Sequence, residues 1–282
     1  MIQETIRTPA WFAVFWVEAT ADPTVTSGTV AIANAPPRIL AKLSSTTPLP
    51  RGAAMVAANR GLLFQTLPVS YPRAPNEDDF NALPSAPQLP SGQSVFSVSL
   101  LSLDGRYHPR IVNLKPPASL ASGGASAAAP IYVALRQSLQ GTRISESGAL
   151  AINLQWPKPA SGPPVPASWA VVTLTCTRNG VNYGFTGQAD VNGDVIVPLT
   201  GLPPLPAPPA PQTTDVMNLS VHADISQSGV SQGCDTDGLL ALSPTPVLVS
   251  GSSTVVPTLS IKRGQISTAA TFGFAGFTLQ AP

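Results

Sequence analysis

The side chains best able to do chemistry are few and scattered: two histidines, His108 and His222, two cysteines, Cys176 and Cys234, and 14 acidic residues in 282. Cys234 stands beside Asp235 and Asp237, just before Gly238. That run could hold a cation or present a nucleophile, yet no histidine neighbours it in sequence to take the thiol proton. It reads more simply as an Asp-Gly turn between strands. Asp190, Asn192 and Asp194 set oxygen ligands at alternate positions, as a calcium loop does. The EF-hand pattern needs glycine sixth and a bidentate acid twelfth, where Val195 and Gly201 stand, so a hairpin turn is expected. A structural zinc site needs closely spaced ligand pairs, and the histidines and cysteines form none. The sequence contains no nucleophile elbow, P-loop or dinucleotide fingerprint. The expectation is a protein that is not an enzyme and carries no metal or cofactor.

The elements that would position these residues follow from composition. With 32 prolines, long helices are improbable. A hydrophobic share of 43% is too high for a chain that never builds a core. Strands joined by Pro-rich loops satisfy both facts. Charged residues make up 10% of the chain, against roughly 25% in a typical soluble domain. The net charge of +1 steers it toward neither nucleic acid nor an anionic membrane. So weak a self-repulsion suits a chain that lives in a complex. The apolar run from Ala10 to Val17 resembles a signal sequence, but it is short and Glu18 interrupts it. No run reaches the roughly 18 apolar residues of a membrane helix. Synthesis and folding in the cytoplasm are expected, without membrane insertion.

Period-two alternation marks the strands. Phe96, Val98 and Leu100 alternate with serines; Leu150, Ile152 and Leu154 alternate with Ala151, Asn153 and Gln155. From Met217 to Ile225 every odd position is apolar, while Asn218, Ser220, His222 and Asp224 face the other way. Further strands are read at 12–18, 29–33, 62–66, 110–114, 131–135, 195–199 and 258–262. Cys176 shares a face with Ala170, Val172 and Leu174, which makes it a buried free thiol. Asn179-Gly180 and Asn192-Gly193 supply the residues of two-residue hairpins. A turn or two of helix is read at 76–80. The fold class is all-β: two tandem antiparallel β-sandwich domains, at 1–117 and 131–282, joined by an Ala/Ser/Gly linker at 118–130. Long Pro-rich loops fall at 71–92 and 201–212.

A weak internal repeat links the halves. Residues 59–68 and 192–203 each run from an Asn and Gly turn through an apolar strand to Leu-Pro. In the second copy the order continues from the strand after Ala167 through Asp190, Asn192 and Gly193 to Leu202 and Pro203. This order resembles the carboxypeptidase regulatory-like, or transthyretin-like, β-sandwich family. The first half lacks the aspartate, so the likeness is carried by the second. With residues 103–109 closing the first half, the pair also resembles accessory structural subunits of phage-tail-like contractile injection systems.

That resemblance implies a structural subunit of such a particle, in cap, collar or baseplate, packing against other protein subunits and against copies of itself. A secreted adhesin or glycan-binding module, or a virion tail accessory protein, is the alternative. Contact residues are expected in the second half. Phe272, Phe274, Phe277 and Leu279 form an apolar, uncharged terminal segment suited either to the last core strand or to strand addition onto a neighbour. Leu202, Pro203 and Leu205 open the Pro-rich loop, and His222 lies on the polar face of its strand.

Overall fold

The computed structural model describes residues 10–19, 30–31, 37–44, 49, 53–58, 60–66, 95–115, 131–142, 144, 147–157, 162–178, 180–202 and 214–281. The linker read at 118–130, the Pro-rich stretch at 71–92 with its helix at 76–80, and Pro203 and Leu205 lie outside them. The described chain is an all-β sandwich fold in which alternating apolar residues build two separate cores.

The first core lies between two sheets. One contains β1 (Ala10–Glu18), β2 (Val30–Ala31), β4 (Ala53–Ala58), β5 (Gly61–Thr66) and β8 (Ile131–Leu135). The other contains β3 (Ile39–Leu43), β6 (Phe96–Ser102) and β7 (Arg110–Leu114). Phe12, Val14 and Trp16 of β1 meet Phe64, Phe96, Val98 and Val112, with Phe12 stacked on Phe64 at 4.4 Å. Such ring pairs add about 0.5–1.5 kcal/mol beyond the area they bury. Gly61 is required where β5 starts, because a Cβ there would lie 1.7 Å from the Val14 carbonyl oxygen. Strand β8, which the sequence reading places after the linker, runs parallel to β1 and sends Val133 and Leu135 into this first core.

The second core is covered on one side by β12 (Val181–Gln188), β11 (Val171–Arg178), β14 (Thr214–His222) and β17 (Thr258–Lys262), in that order. On the other side, β9 (Ala149–Trp156) pairs along one edge with β10 (Val165–Pro166) and β13 (Asp194–Pro198). Its other edge pairs with β18 (Ile266–Ser267) and β19 (Phe277–Leu279), and β19 pairs on with β16 (Val247–Val249). Leu150, Leu154, Leu174, Phe185, Met217 and Ile261 fill the space between. Cys176 is buried and free on the face its alternation indicated.

Two turn expectations meet different outcomes. Arg178 pairs with Val181, so β11 and β12 form the expected hairpin. Asn192-Gly193 does not close a hairpin, because β12 pairs with β11 whereas β13 pairs with β9 in the opposite sheet. The loop is an arch between layers. The Asp190 carboxylate accepts from the backbone N–H groups of Asn192 (2.8 Å) and Asp194 (3.0 Å), and these bonds fix its shape. The alternation of β14 also stops short: the strand ends at His222, and Asp224 caps a 3-10 turn over Ile225–Gln227, which leaves Ile225 exposed.

Candidate interaction site

The terminal segment expected to make contacts divides in two. Strand β19 is hydrogen-bonded on both edges, to β9 and to β16, and its Phe277 and Leu279 side chains are in the second core. A strand with both edges occupied cannot accept another. Strand addition by this segment is therefore corrected in favour of an interior core strand. Phe272 and Phe274 are half-buried and pack on that core, with the Phe274 ring edge-on to Phe277 at 5.7 Å. Leu202 is buried in the same core rather than offered to a partner. His222 is half-buried, and its Nδ1 lies 3.0 Å from the Leu242 carbonyl oxygen. Since a carbonyl only accepts, Nδ1 carries the proton.

A more open surface lies in the first half. The outward face of the β1 sheet carries Phe15, Leu63, Val56 and Tyr132 in neighbouring registers. Phe15 is 42% exposed and Tyr132 54%, with their rings 6.2 Å apart. Strands β1, β2, β4, β5 and β8 together contain one charged residue, Glu18. Its carboxylate is already occupied, accepting from Tyr107 Oη (3.0 Å) and Gln137 Nε2 (2.5 Å). An outward sheet face is ordinarily polar. An uncharged one presenting two aromatic rings is of the kind that proteins cover with a partner.

Between the cores lies a buried polar junction. Residues Cys234–Asp235 form a short strand, β15, that adds parallel to β7 and so completes the first half's sheet with chain from the second. The next residues form helix α1 (Thr236–Leu240), whose N-terminus is capped by the Asp235 carboxylate accepting from Gly238 N–H at 3.0 Å. A turn was expected here. The Asp235 cap and the acid at Asp237 in the first turn are the sequence signal for this helix. Buried Arg110 donates to the Ala134 carbonyl oxygen and, at 2.9 Å, to Asp237. Arg136 donates to Thr186 Oγ1 at 2.6 Å, and His108 Nε2 donates to the Gln188 carbonyl oxygen at 3.0 Å.

Trp169 sits at the centre with φ of 64°, the one non-glycine residue in that region among those described. Such a conformation costs about 1–3 kcal/mol and persists only where the surroundings over-determine it. They do so here. Its indole N–H donates to the Val230 carbonyl oxygen (2.6 Å), its own carbonyl accepts from Gln188 Nε2 (3.3 Å), and its ring meets His108 edge-on at 5.8 Å.

His108 and Cys234 come together in this junction, yet their protonation opposes thiolate chemistry. Burial pushes the Cys234 thiol up to about 11 and the His108 imidazole down to about 4. Activated cysteines have the reverse arrangement, with a depressed thiol beside a cation. Among the described residues no group of three His, Cys, Asp or Glu is placed to hold a metal ion, and no helix is long and apolar enough to cross a membrane. No protein-family model matches the sequence, and no curated protein or solved structure matches it either.

Proposed function

We propose that the chain is a non-enzymatic structural subunit of a large phage-tail-like particle, acting by packing against other protein subunits. The observation that supports this most is the uncharged outward face of the β1 sheet, where Phe15 and Tyr132 stand exposed side by side. Burying exposed apolar area contributes roughly 25 cal/mol per Å², so a flat face of this kind rewards a protein partner. The junction adds to the reading, because strand pairing between β15 and β7 ties the two halves together. The resemblance to accessory subunits of contractile injection systems names the kind of particle. Copurification tests it: an affinity-tagged chain expressed in its native host is expected to sediment with assembled particles. Recovery only as a free chain under conditions that yield intact particles would overturn the proposal.

The alternative, a secreted glycan-binding module, draws on a separate groove of about 520 Å³ over the outer face of β9 and β13. There Gln155 Nε2 donates to Asn153 Oδ1 (2.8 Å), and Asn153 Nδ2 donates to Asp194 (2.9 Å). A pre-ordered row of amides and a carboxylate suits sugar hydroxyls. Saturable binding on a glycan array, lost in Asn153→Ala, would favour this reading over the first.

A further inference from the structure

We infer that one end of the second sandwich carries a groove for a polyproline-II strand, and that its occupant is the Pro-rich segment 203–211 of a second copy of this chain. This deepens the assembly reading by naming one contact between copies, and it is tested separately from particle membership.

The groove, of about 480 Å³, is lined by Trp156, Ile225, Leu242, Pro244 and Pro246, with Asp224 beside them. Each wall is fixed by the fold. Trp156 is the last residue of β9, and the cap made by Asp224 turns Ile225 outward. The 242–246 wall is held by His222 Nδ1 donating to Leu242 O (3.0 Å), by Thr245 N–H donating to Val221 O (2.7 Å), and by Gln280 N–H donating to Pro246 O (2.9 Å). The Asp224 carboxylate is occupied by Ser226 N–H (2.8 Å) and Ser226 Oγ (2.7 Å). The buried Trp156 indole N–H has no acceptor among the described residues.

A groove built of tryptophan, proline and aliphatic side chains matches the ridged surface of a polyproline-II strand. Such a strand has no internal hydrogen bonds, so its carbonyls remain free to accept, and its stiffness lowers the entropy lost on docking. Segment 203–211 has this composition: prolines at 203, 204, 206, 208, 209 and 211, leucine and alanine at the rest, and no charge.

Reach decides which copy supplies it. The segment leaves from Leu202, just after β13, whose last residue Pro198 pairs with Ala149 at the start of β9; it rejoins the fold at Thr214, the start of β14. The groove lies at the other ends of those strands, beside Trp156 and Ala223. Eight or nine strand residues separate the two ends, about 27 Å. A path to the groove and back is about 54 Å, whereas the twelve steps from Leu202 to Thr214 span at most about 43 Å. The segment cannot fill its own copy's groove. A contact between opposite ends of two copies is head-to-tail, and it generates rings or filaments.

The test titrates a labelled peptide of residues 201–212 into the full-length chain by fluorescence polarisation. It is repeated with Ile225→Glu/Leu242→Glu, two positions each 45% exposed, so that folding, checked by circular dichroism, is retained. Saturable binding that weakens about tenfold or more in the double variant is expected. Self-association by sedimentation velocity should fall both in that variant and in the full chain carrying Pro203→Ser, Pro204→Ser, Pro208→Ser and Pro209→Ser. No saturation up to about 1 mM peptide, or equal affinity in the variant, would overturn the groove. Peptide binding with self-association unchanged in both variants would overturn the second copy as occupant. Peptide binding by a chain that never sediments with particles keeps the groove and removes the particle reading.

Discussion

Asp215 holds two arginines of the second half. It accepts from Arg178 and, at 2.6 Å, from Arg263, a guanidinium buried at the edge of the second core. Removing one member of a buried ion pair leaves the other's charge uncompensated, at a cost of about 3–5 kcal/mol. Asp215→Ala is expected to lower the unfolding free energy from urea titration by that amount, and a loss under about 1 kcal/mol would show that solvent already satisfies the arginines. His108 makes a second residue-level prediction. Its folded pKa of about 4 lies below the ordinary value of 6.5, because burial disfavours the cation. The unfolded chain binds the extra proton between those values, so the stabilisation is complete above pH 6.5 and is lost as pH falls toward 4. The shift corresponds to roughly 3 kcal/mol. His108→Gln should flatten the stability profile over that window in denaturant titrations at stepped pH, and an unchanged slope would remove His108 as its source.

At the scale of elements, most strands were legible, because a sheet with one buried face writes period-two alternation into the sequence. Strands β6, β9 and β11 follow their patterns, and burial matches the apolar positions. Local signals failed where tertiary pairing decides. Asn192-Gly193 has hairpin chemistry, yet which sheet receives β13 depends on β9, some forty residues upstream. The pattern from Met217 continues to Ile225 in sequence, but the Asp224 cap ends the strand first. For β19 the sequence leaves a core strand and an exposed edge equally open, because its two partners are distant in sequence. The junction was illegible for the same reason: Arg110, Arg136, Gln188 and Cys234 belong to separate segments, and pairing alone brings them together. Phe277→Ala, a core truncation, is expected to cost about 3–5 kcal/mol in chemical denaturation. Tyr132→Ala, on an exposed face, should stay within about 0.5 kcal/mol. If the two losses were equal, the assignment of core and surface would be wrong.

For the whole molecule, β15 joins chain from the second half to the first half's sheet, a buried polar junction lies between the cores, and the sheet farthest from ordinary surface chemistry is the one built on β1, whose outward face is uncharged. Weak charge, an exposed aromatic pair and a groove matched to the chain's own proline composition all favour association over a free existence. The functional account therefore stands on the β1 face more than on the terminal strand toward which the sequence pointed. The most direct measurement compares particle incorporation of the native chain with that of Phe15→Glu/Tyr132→Glu, alongside thermal unfolding of both. The account predicts unfolding temperatures within a few degrees of each other and loss of the variant from sedimented particles. Incorporation at the native level by a normally folded double variant would contradict it.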